Sequence, residues 1–237
     1  MNKEAPYILA IDTAGKSCSV AIAKGEMLLG EAFLQNGFTH STTLLPLIDG
    51  CLSQVGLEVS QMNALALTNG PGSFTGLRIG MSTIKGFAEV LQAPIVTLST
   101  LYALAAPFSY FEGIVCALID ARSQRVYCGI YEKGVLLQQE DVIEIKALQK
   151  HIGNREKILF VGDGAEGYQE MLTAAFPCAV FAERIYASPH IGASIPYINA
   201  ALAKGDTEDC FSAKLQYIVA SQAEQNKQKE AEQHADS

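Results

Sequence analysis

The sequence predicts an α/β protein made of two related halves, each running β-β-β-α-β-α-β-α. Three observations carry that expectation. Short apolar runs bounded by turn residues alternate with stretches of helical periodicity. A shift of 108 positions (120 − 12) lays Ile11-Asp12 on Ile119-Asp120 without a gap, Ile22 on Ile130 and Leu28-Leu29 on Leu136-Leu137. Each half also enters a glycine corner after its fourth apolar run, at Gly70-Pro71-Gly72 and at Gly162-Asp163-Gly164. The repeat is one of pattern and not a solenoid array. It divides the chain into residues 1–108, residues 109–220 and a polar tail, 221–237.

In the first half, Tyr7 to Ile11 is a strand ending at Asp12. A turn through Gly15 and Lys16 leads to Cys18–Ala23, its antiparallel neighbour, and Lys24-Gly25-Glu26 turns into Met27 to Phe33. A polar loop, Gln35 to Thr39, precedes a helix from Ser41 to Val55. Leu44, Leu45, Ile48, Leu52 and Val55 form its apolar face, and Pro46 is tolerable only near its start. Ala64 to Thr68 reads as a buried strand, Ile95 to Leu98 as another, and Leu101 to Ala106 as a short helix stopped by Pro107.

The second half starts again with Ile114 to Ile119, ending at Asp120. Strands Arg125–Tyr131 and Val135–Gln139 follow, then a helix around Glu144–Ile152 and a strand over Ile158–Val161. A helix over Ala165–Ala175, a short strand at Cys178–Phe181 and a helix over His190–Lys204, interrupted at Pro196, complete it. From Ser221 onward the chain has almost no large apolar residue, so it is expected to stay unpacked and to be dispensable for thermal stability.

Between the fourth and fifth strands lies the most informative stretch, Asn69 to Leu91. Pro71 and its flanking glycines break regular structure, and Ser73 or Thr75 is placed to cap a helix. Leu77, Met81, Ile84, Ala88 and Leu91 then form one stripe. Gly76 and Gly80, four apart, leave a second face without side chains, at roughly 1 kcal/mol per Gly in helix propensity. Three readings compete: close packing on the chain's own sheet, an anion at the helix start, or a partner helix laid against the glycines. No Lys-Ser/Thr pair follows them as a P-loop requires.

Composition narrows the function classes. At 49% hydrophobic, 18% charged, with a formal charge of −8 and pI near 5, the chain lacks the basic balance needed to grip nucleic acid unaided. Any role with RNA is expected to run through a partner. The apolar run Tyr7–Ile11 is broken by Asp12 before a secretory core is complete, no stretch reaches the length of a membrane span, and the six cysteines form no C-x-x-C. A cytoplasmic protein with reduced cysteines is the expectation.

Polar chemistry is sparse. Asp12 and Asp120 each follow an apolar strand, a place suited either to steering a metal-bound phosphate or to bonding the next turn. Arg122 and Arg125 stand beside Asp120, able to bind an anion or pair with acids. The histidines at 40, 151, 190 and 234 are too far apart for a helical ligand pair, and Pro71-Gly72-Ser73-Phe74-Thr75 is no nucleophile elbow. His40 marks a helix entrance more simply than a catalytic base.

Ile11-Asp12-Thr13, His40-Ser41 through Leu44-Leu45-Pro46, Asn69-Gly70-Pro71-Gly72-Ser73-Phe74-Thr75-Gly76-Leu77-Arg78-Ile79-Gly80 and Asp120-Ala121-Arg122 together resemble the bacterial TsaB family, over roughly residues 7–205. The resemblance implies the duplicated actin/Hsp70/hexokinase-like (ASKHA) fold. It implies a non-catalytic scaffold needed for threonylcarbamoyladenosine at tRNA position 37, which binds and activates the catalytic subunit TsaD, with the ATPase TsaE as third partner. Thr100 and Leu104 fall where TsaD carries its metal-binding histidines, so no catalytic or metal residue is expected. The two N-terminal helices are the implied partner surface, for TsaD or for a second copy, through Leu44, Gly76, Leu77, Gly80, Met81 and Ile84. No tightly bound cofactor is expected, with ATP or ADP held, if at all, at Asp12 and Asp120 in the assembled complex. The alternatives are an ATP-dependent phosphotransferase of the same fold using those two aspartates, and a glycoprotease-like peptidase.

Overall fold

The computed structural model describes residues 5–216 and residue 218. The expected polar tail lies outside these residues. Tyr7–Asp12 (β1), Cys18–Lys24 (β2) and Met27–Leu34 (β3) form an antiparallel meander. After helix His40–Gln54 (α1), strand Ala64–Gly70 (β4) joins β1 in parallel, and after helix Phe74–Leu91 (α2), Ile95–Ser99 (β5) joins β4. The sheet order is β3-β2-β1-β4-β5. β1, β2 and β4 are buried on both faces, which is why they read as continuous apolar runs rather than alternating ones. Helix Thr100–Ala105 (α3) ends the first half.

Ile114–Asp120 (β6), Arg125–Glu132 (β7) and Val135–Leu136 (β8) repeat the meander. Asp141–Glu144 (β9), Leu148–Ile152 (α4), Ile158–Val161 (β10), Asp163–Gly167 (α5), Gln169–Ala175 (α6), Val180–Phe181 (β11) and Ile195–Lys204 (α7) follow. The second sheet runs β11-β10-β6-β7-β8, with β9 also on β7, so the two halves share one topology.

Three local expectations change. The strand placed at Val135–Gln139 stops at Leu136, and Asp141–Glu144 forms a separate strand on β7 where helix was expected to begin. Ile143 is buried there, and its β-branched neighbour Val142 suits a ladder. The helix expected over Ala165–Ala175 breaks at Tyr168, whose hydroxyl donates to Asp120 Oδ1 at 3.1 Å. In α1, Pro46 sits inside the helix, and Leu45 faces solvent while Thr43 and Cys51 are buried.

The duplication is also out of phase with the ungapped alignment. Leu9, Ile11, Val20 and Ile22 face the cluster under α1 and α2. Cys116, Leu118, Cys128 and Ile130 face the matching cluster under α4–α6. Ile11 pairs with Val20, and Leu118 with Cys128. The structural shift is therefore 107 for the first strand (118 − 11) and 108 for the second (128 − 20). A one-residue slip moves a strand's side chains to the other face. Asp12 accordingly matches Ile119, not Asp120.

The halves exchange their last helices. Leu101, Leu104 and Ala105 of α3 pack with Val115, Ala117 and Tyr131 of the second sheet. Ile195, Ile198 and Ala201 of α7 pack with Ile8, Ala10, Ala21 and Val96 of the first. Glu31 Oε1 accepts from Gly192 N at 2.9 Å, Ser19 Oγ accepts from Ile191 N at 3.1 Å, and the Phe33 and His190 rings stack at 4.6 Å.

Ser73 caps α2, accepting from Gly76 N at 3.2 Å. The glycine face is consumed within the chain. A Cβ on Gly76 would overlap Thr13 O, and one on Gly80 would overlap Thr13 Oγ1. Thr13 Oγ1 donates to Gly76 O at 2.8 Å and Ser73 N to Ala14 O at 2.6 Å, so the β1–β2 turn lies on the first two turns of α2. Leu44, Leu77, Met81 and Ile84 are likewise buried. The expected interface residues Leu44, Gly76, Leu77, Gly80, Met81 and Ile84 thus point into their own fold, because the turn after β1 needs the space those glycines leave. Gly80→Leu is expected to destabilise the isolated chain by about 1–3 kcal/mol through overpacking, a loss of roughly 2–4 °C in Tm per kcal/mol at this size. Thermal unfolding measures it, and an unchanged or raised Tm would refute the packing.

Candidate functional site

The two meanders bring their first turns to opposite walls of a cleft of about 480 Å³. Ala14, Gly15 and Lys16 line one wall, Asp120, Asp163 and Glu166 the other. At the floor are Thr100 and Leu104, four apart on α3 and so on one helical face.

Asp12 does not line this cleft. It is 0% exposed, accepting from Thr68 Oγ1 at 2.5 Å and Ala14 N at 3.3 Å through Oδ1, while Oδ2 has no partner among the described residues. Burial pushes its carboxyl up from 3.8 to about 6, against the opposing pull of the Thr68 and Ala14 bonds and the nearby His40.

Asp120 is exposed. Its Oδ1 accepts from Arg122 N at 2.9 Å and from the Tyr168 hydroxyl, and its N–H donates to Asp163 Oδ1 at 3.0 Å. Burial raises the Asp163 carboxyl, with the Asp120 charge adding to it and Lys16 opposing. Arg184 pairs with Glu166 at 3.0 Å. Three carboxylates thus line the cleft, with Arg184 beside Glu166 and Lys16 as the cations among its lining residues. Arg122, Ser123 and Gln124 take φ of +63°, +53° and +59°, a left-handed corner that turns Arg122's backbone N–H onto Asp120.

The residues read as polar candidates are thus separated. Asp12 is sealed under the β1–β2 turn and Asp120 stands on the opposite wall. Sequence reading passed over Asp163, which the glycine corner after β10 presents. Its signal was the Gly162-Asp163-Gly164 triplet itself.

A metal bound through α3 would need donors at Thr100 and Leu104, which supply a hydroxyl and an alkyl group, and this set does not fit. Among the described residues no group of three His, Cys, Asp or Glu side chains is placed to hold a metal. A nucleotide-bound cation would need access to the Asp12 carboxylate, and its zero exposure does not fit that either.

Outside this cleft, His40 Nε2 lies 3.0 Å from Gly15 O, and His40 lines a second cleft of about 550 Å³ together with Lys16, Ser73, Thr75 and Gly76. The outer side of α1 carries a groove of about 510 Å³ lined by Leu45, Ile48, Leu52, Leu57, Val59 and Phe87. The cysteines are all free. Cys18, Cys51, Cys116 and Cys128 are buried, Cys210 is half-buried and Cys178 exposed. No helix among the described residues is long and apolar enough to cross a membrane.

Residues 37–232 match the family model described as TsaD: tRNA N6-adenosine threonylcarbamoyltransferase. The chain is 29% identical to the tRNA threonylcarbamoyladenosine biosynthesis protein TsaB of Bacillus subtilis, over 70% of this chain and 74% of the relative. It is 41% identical to the protein of the same name from Haemophilus influenzae over 51% of each, so that match spans about half the relative's length. The solved structure of YeaZ from Pseudomonas aeruginosa superimposes with a TM-score of 0.77 at 29% identity, over 90% of this chain and 99% of that one. With more distant structures at 12% identity and a TM-score of 0.52, it places the chain in the duplicated actin/Hsp70/hexokinase-like fold.

The buried Asp12 makes a pH prediction. Below about pH 4 folded and unfolded chains both hold the proton, so Asp12 costs nothing. Between about 4 and 6 the unfolded chain ionises first and stability falls. Above 6 the penalty is constant, near 3 kcal/mol for a shift of about two units. The stability of Asp12→Asn relative to the parent is expected to rise by up to that amount between pH 4 and pH 7.5. Denaturant unfolding at the two pH values measures it, and a pH-independent difference would refute it.

Proposed function

The chain belongs to the TsaB family, and on that premise we propose that it is a non-catalytic subunit that binds TsaD and activates it for threonylcarbamoyladenosine formation on tRNA. The observation that carries the non-catalytic reading is the pair Thr100 and Leu104. They occupy adjacent turns of α3 at the cleft floor, the geometry a ligand pair would use, with one hydroxyl and one alkyl group where a pair of strong ligands would be needed. The protein's role is then to present a surface.

That surface is the outward side of α1 and α2. Leu45, Asp49 and Gly50 are exposed on α1, and Phe74, Arg78, Ser82 and Gly86 on α2. The Arg78 guanidinium lies 3.7 Å from the centre of the Phe74 ring, holding both side chains flat on the helix. Among the described residues, a Cβ on Gly50 or Gly86 would meet nothing within 4 Å. These two glycines, rather than Gly76 and Gly80, leave room for a helix from another chain. TsaD is the occupant of this reading, with a second copy of the chain in its place when TsaD is absent and TsaE as the further component.

The acidic cleft wall and the sealed Asp12 disfavour a polyanionic nucleotide in the isolated protein, so ATP or ADP is expected only once the partners assemble. The same features argue against a phosphotransferase using Asp12 and Asp120. The net charge of −8 leaves contact with tRNA to the partner, and the cytoplasm is the compartment this role requires.

Gly86→Leu is expected to cut TsaD capture and self-association at least tenfold while leaving Tm unchanged or raising it, since Leu favours helix by most of a kcal/mol. Binding equal to the parent's would refute the surface. The protein without TsaD is expected to incorporate no labelled threonine into tRNA, and robust incorporation would overturn the non-catalytic reading.

A further inference from the structure

After α7, which packs on the first sheet, the chain continues along that sheet, and residues 214–216 lie beside the Asn69–Ser73 loop. Glu208 and Ile95 exchange both backbone hydrogen bonds at 2.8 Å, closing the free edge of β5. Cys210 donates to Glu89 Oε2 on α2 at 2.7 Å. Ala213, 1% exposed, is buried in the core beneath α1 and α2, with Leu215 against it. Gln216 N then donates to Asn69 O at 2.8 Å, and Asn69 Nδ2 lies 3.5 Å from Lys214 O. Ile218 packs against the cluster that α3 forms with the second sheet.

The loop is held from two sides by backbone. A Cβ on Gly70, which has φ +130°, would overlap Gln216 O from the C-terminal side. A Cβ on Gly72 would overlap Ala14 O from the β1–β2 turn. The two glycines flanking Pro71 thus have separate uses, one admitting Gln216 and the other the turn. A backbone carbonyl that close cannot give way as a flexible side chain would.

We propose that residues 206–218 form a strap that positions the Asn69–Ser73 loop, and with it the N-terminal turn of α2. Three properties fit a strap rather than a trailing end. It is anchored at an edge strand, it contributes apolar residues to the core at its middle, and its last backbone bond falls on the loop. The loop carries Ser73, which both caps α2 and bonds Ala14 O, so a shift at Asn69 is transmitted to the start of the helix. On the reading that α2 is a docking helix, the strap sets the posture of the partner surface from its inner side. The strap itself does not depend on that reading.

Backbone hydrogen exchange on full-length variants tests it. Gln216→Pro removes the N–H that bonds Asn69 while leaving an exposed side-chain position, and Ala213→Asp places a charge in the core and expels the strap. A chain ending at Ile218 is the control. Both variants are expected to raise exchange across Asn69–Gly76 at least tenfold, with β6 and β7 unchanged and the control like the parent. Unchanged exchange at Asn69–Gly76 in Gln216→Pro overturns the strap, whatever Ala213→Asp does. Loss of protection reaching β6 and β7 in Gln216→Pro also overturns it, since the segment would then hold the whole fold rather than the loop. TsaD capture is read on the same proteins. Raised exchange with normal capture supports the strap and counts against the docking role of α2, so the two ideas fail separately.

Discussion

The close approach of backbone to backbone between the β1–β2 turn and the start of α2 is the constraint on which the rest depends. Thr13 and Ala14 occupy the space that a Cβ at Gly72, Gly76 or Gly80 would need. Direct bonds from Thr13 Oγ1 to Gly76 O and from Ser73 N to Ala14 O seal the contact. Each helical glycine gives up about 1 kcal/mol of propensity, and the return is a helix seated directly on a strand end. Two consequences follow at once. The inner face of α2 is closed to other molecules, and only its outer face is open. And the carboxylate at the end of β1 is roofed over, leaving Asp12 without solvent.

The two halves share a topology yet no longer share a chemistry. The turn between the first two strands is one residue longer in the second half, so the strand-end aspartates fall on opposite faces of their sheets. Asp12 bonds Thr68 in the interior, whereas Asp120 sits at the surface with Tyr168 and a left-handed corner. Two carboxylates in such different settings do not form the symmetric pair that would clamp a metal-bound phosphate. The cleft keeps the shape of its fold while its floor, Thr100 and Leu104, carries one hydroxyl and one alkyl group rather than a ligand pair.

The exchange of terminal helices makes the halves interdependent. α3 packs on the second sheet, α7 and the strap on the first, and Glu31 and Ser19 bond the start of the α7 segment. An arrangement of this kind ties α1 and α2 to residues 206–216 through packed backbone.

Much of this was legible from residues alone. Long apolar runs at Tyr7–Ile11, Ala64–Thr68 and Ile114–Ile119 determined the central strands, because burial on both faces leaves no polar alternation. The stripe from Leu77 to Ala88 determined α2, and Ser73 its start, since both are local properties of a helix. Duplication was visible too, but its phase was not, because an ungapped match cannot register one added residue in a turn. Nor could the sequence say which way Gly76 and Gly80 face. Missing side chains mark that something comes close without naming it, and only the tertiary structure identified Thr13. The buried state of Asp12, the role of Asp163 and the return of residues 206–218 to Asn69 were likewise decided by contacts between residues 50 to 150 positions or so apart, where periodicity and spacing carry no information.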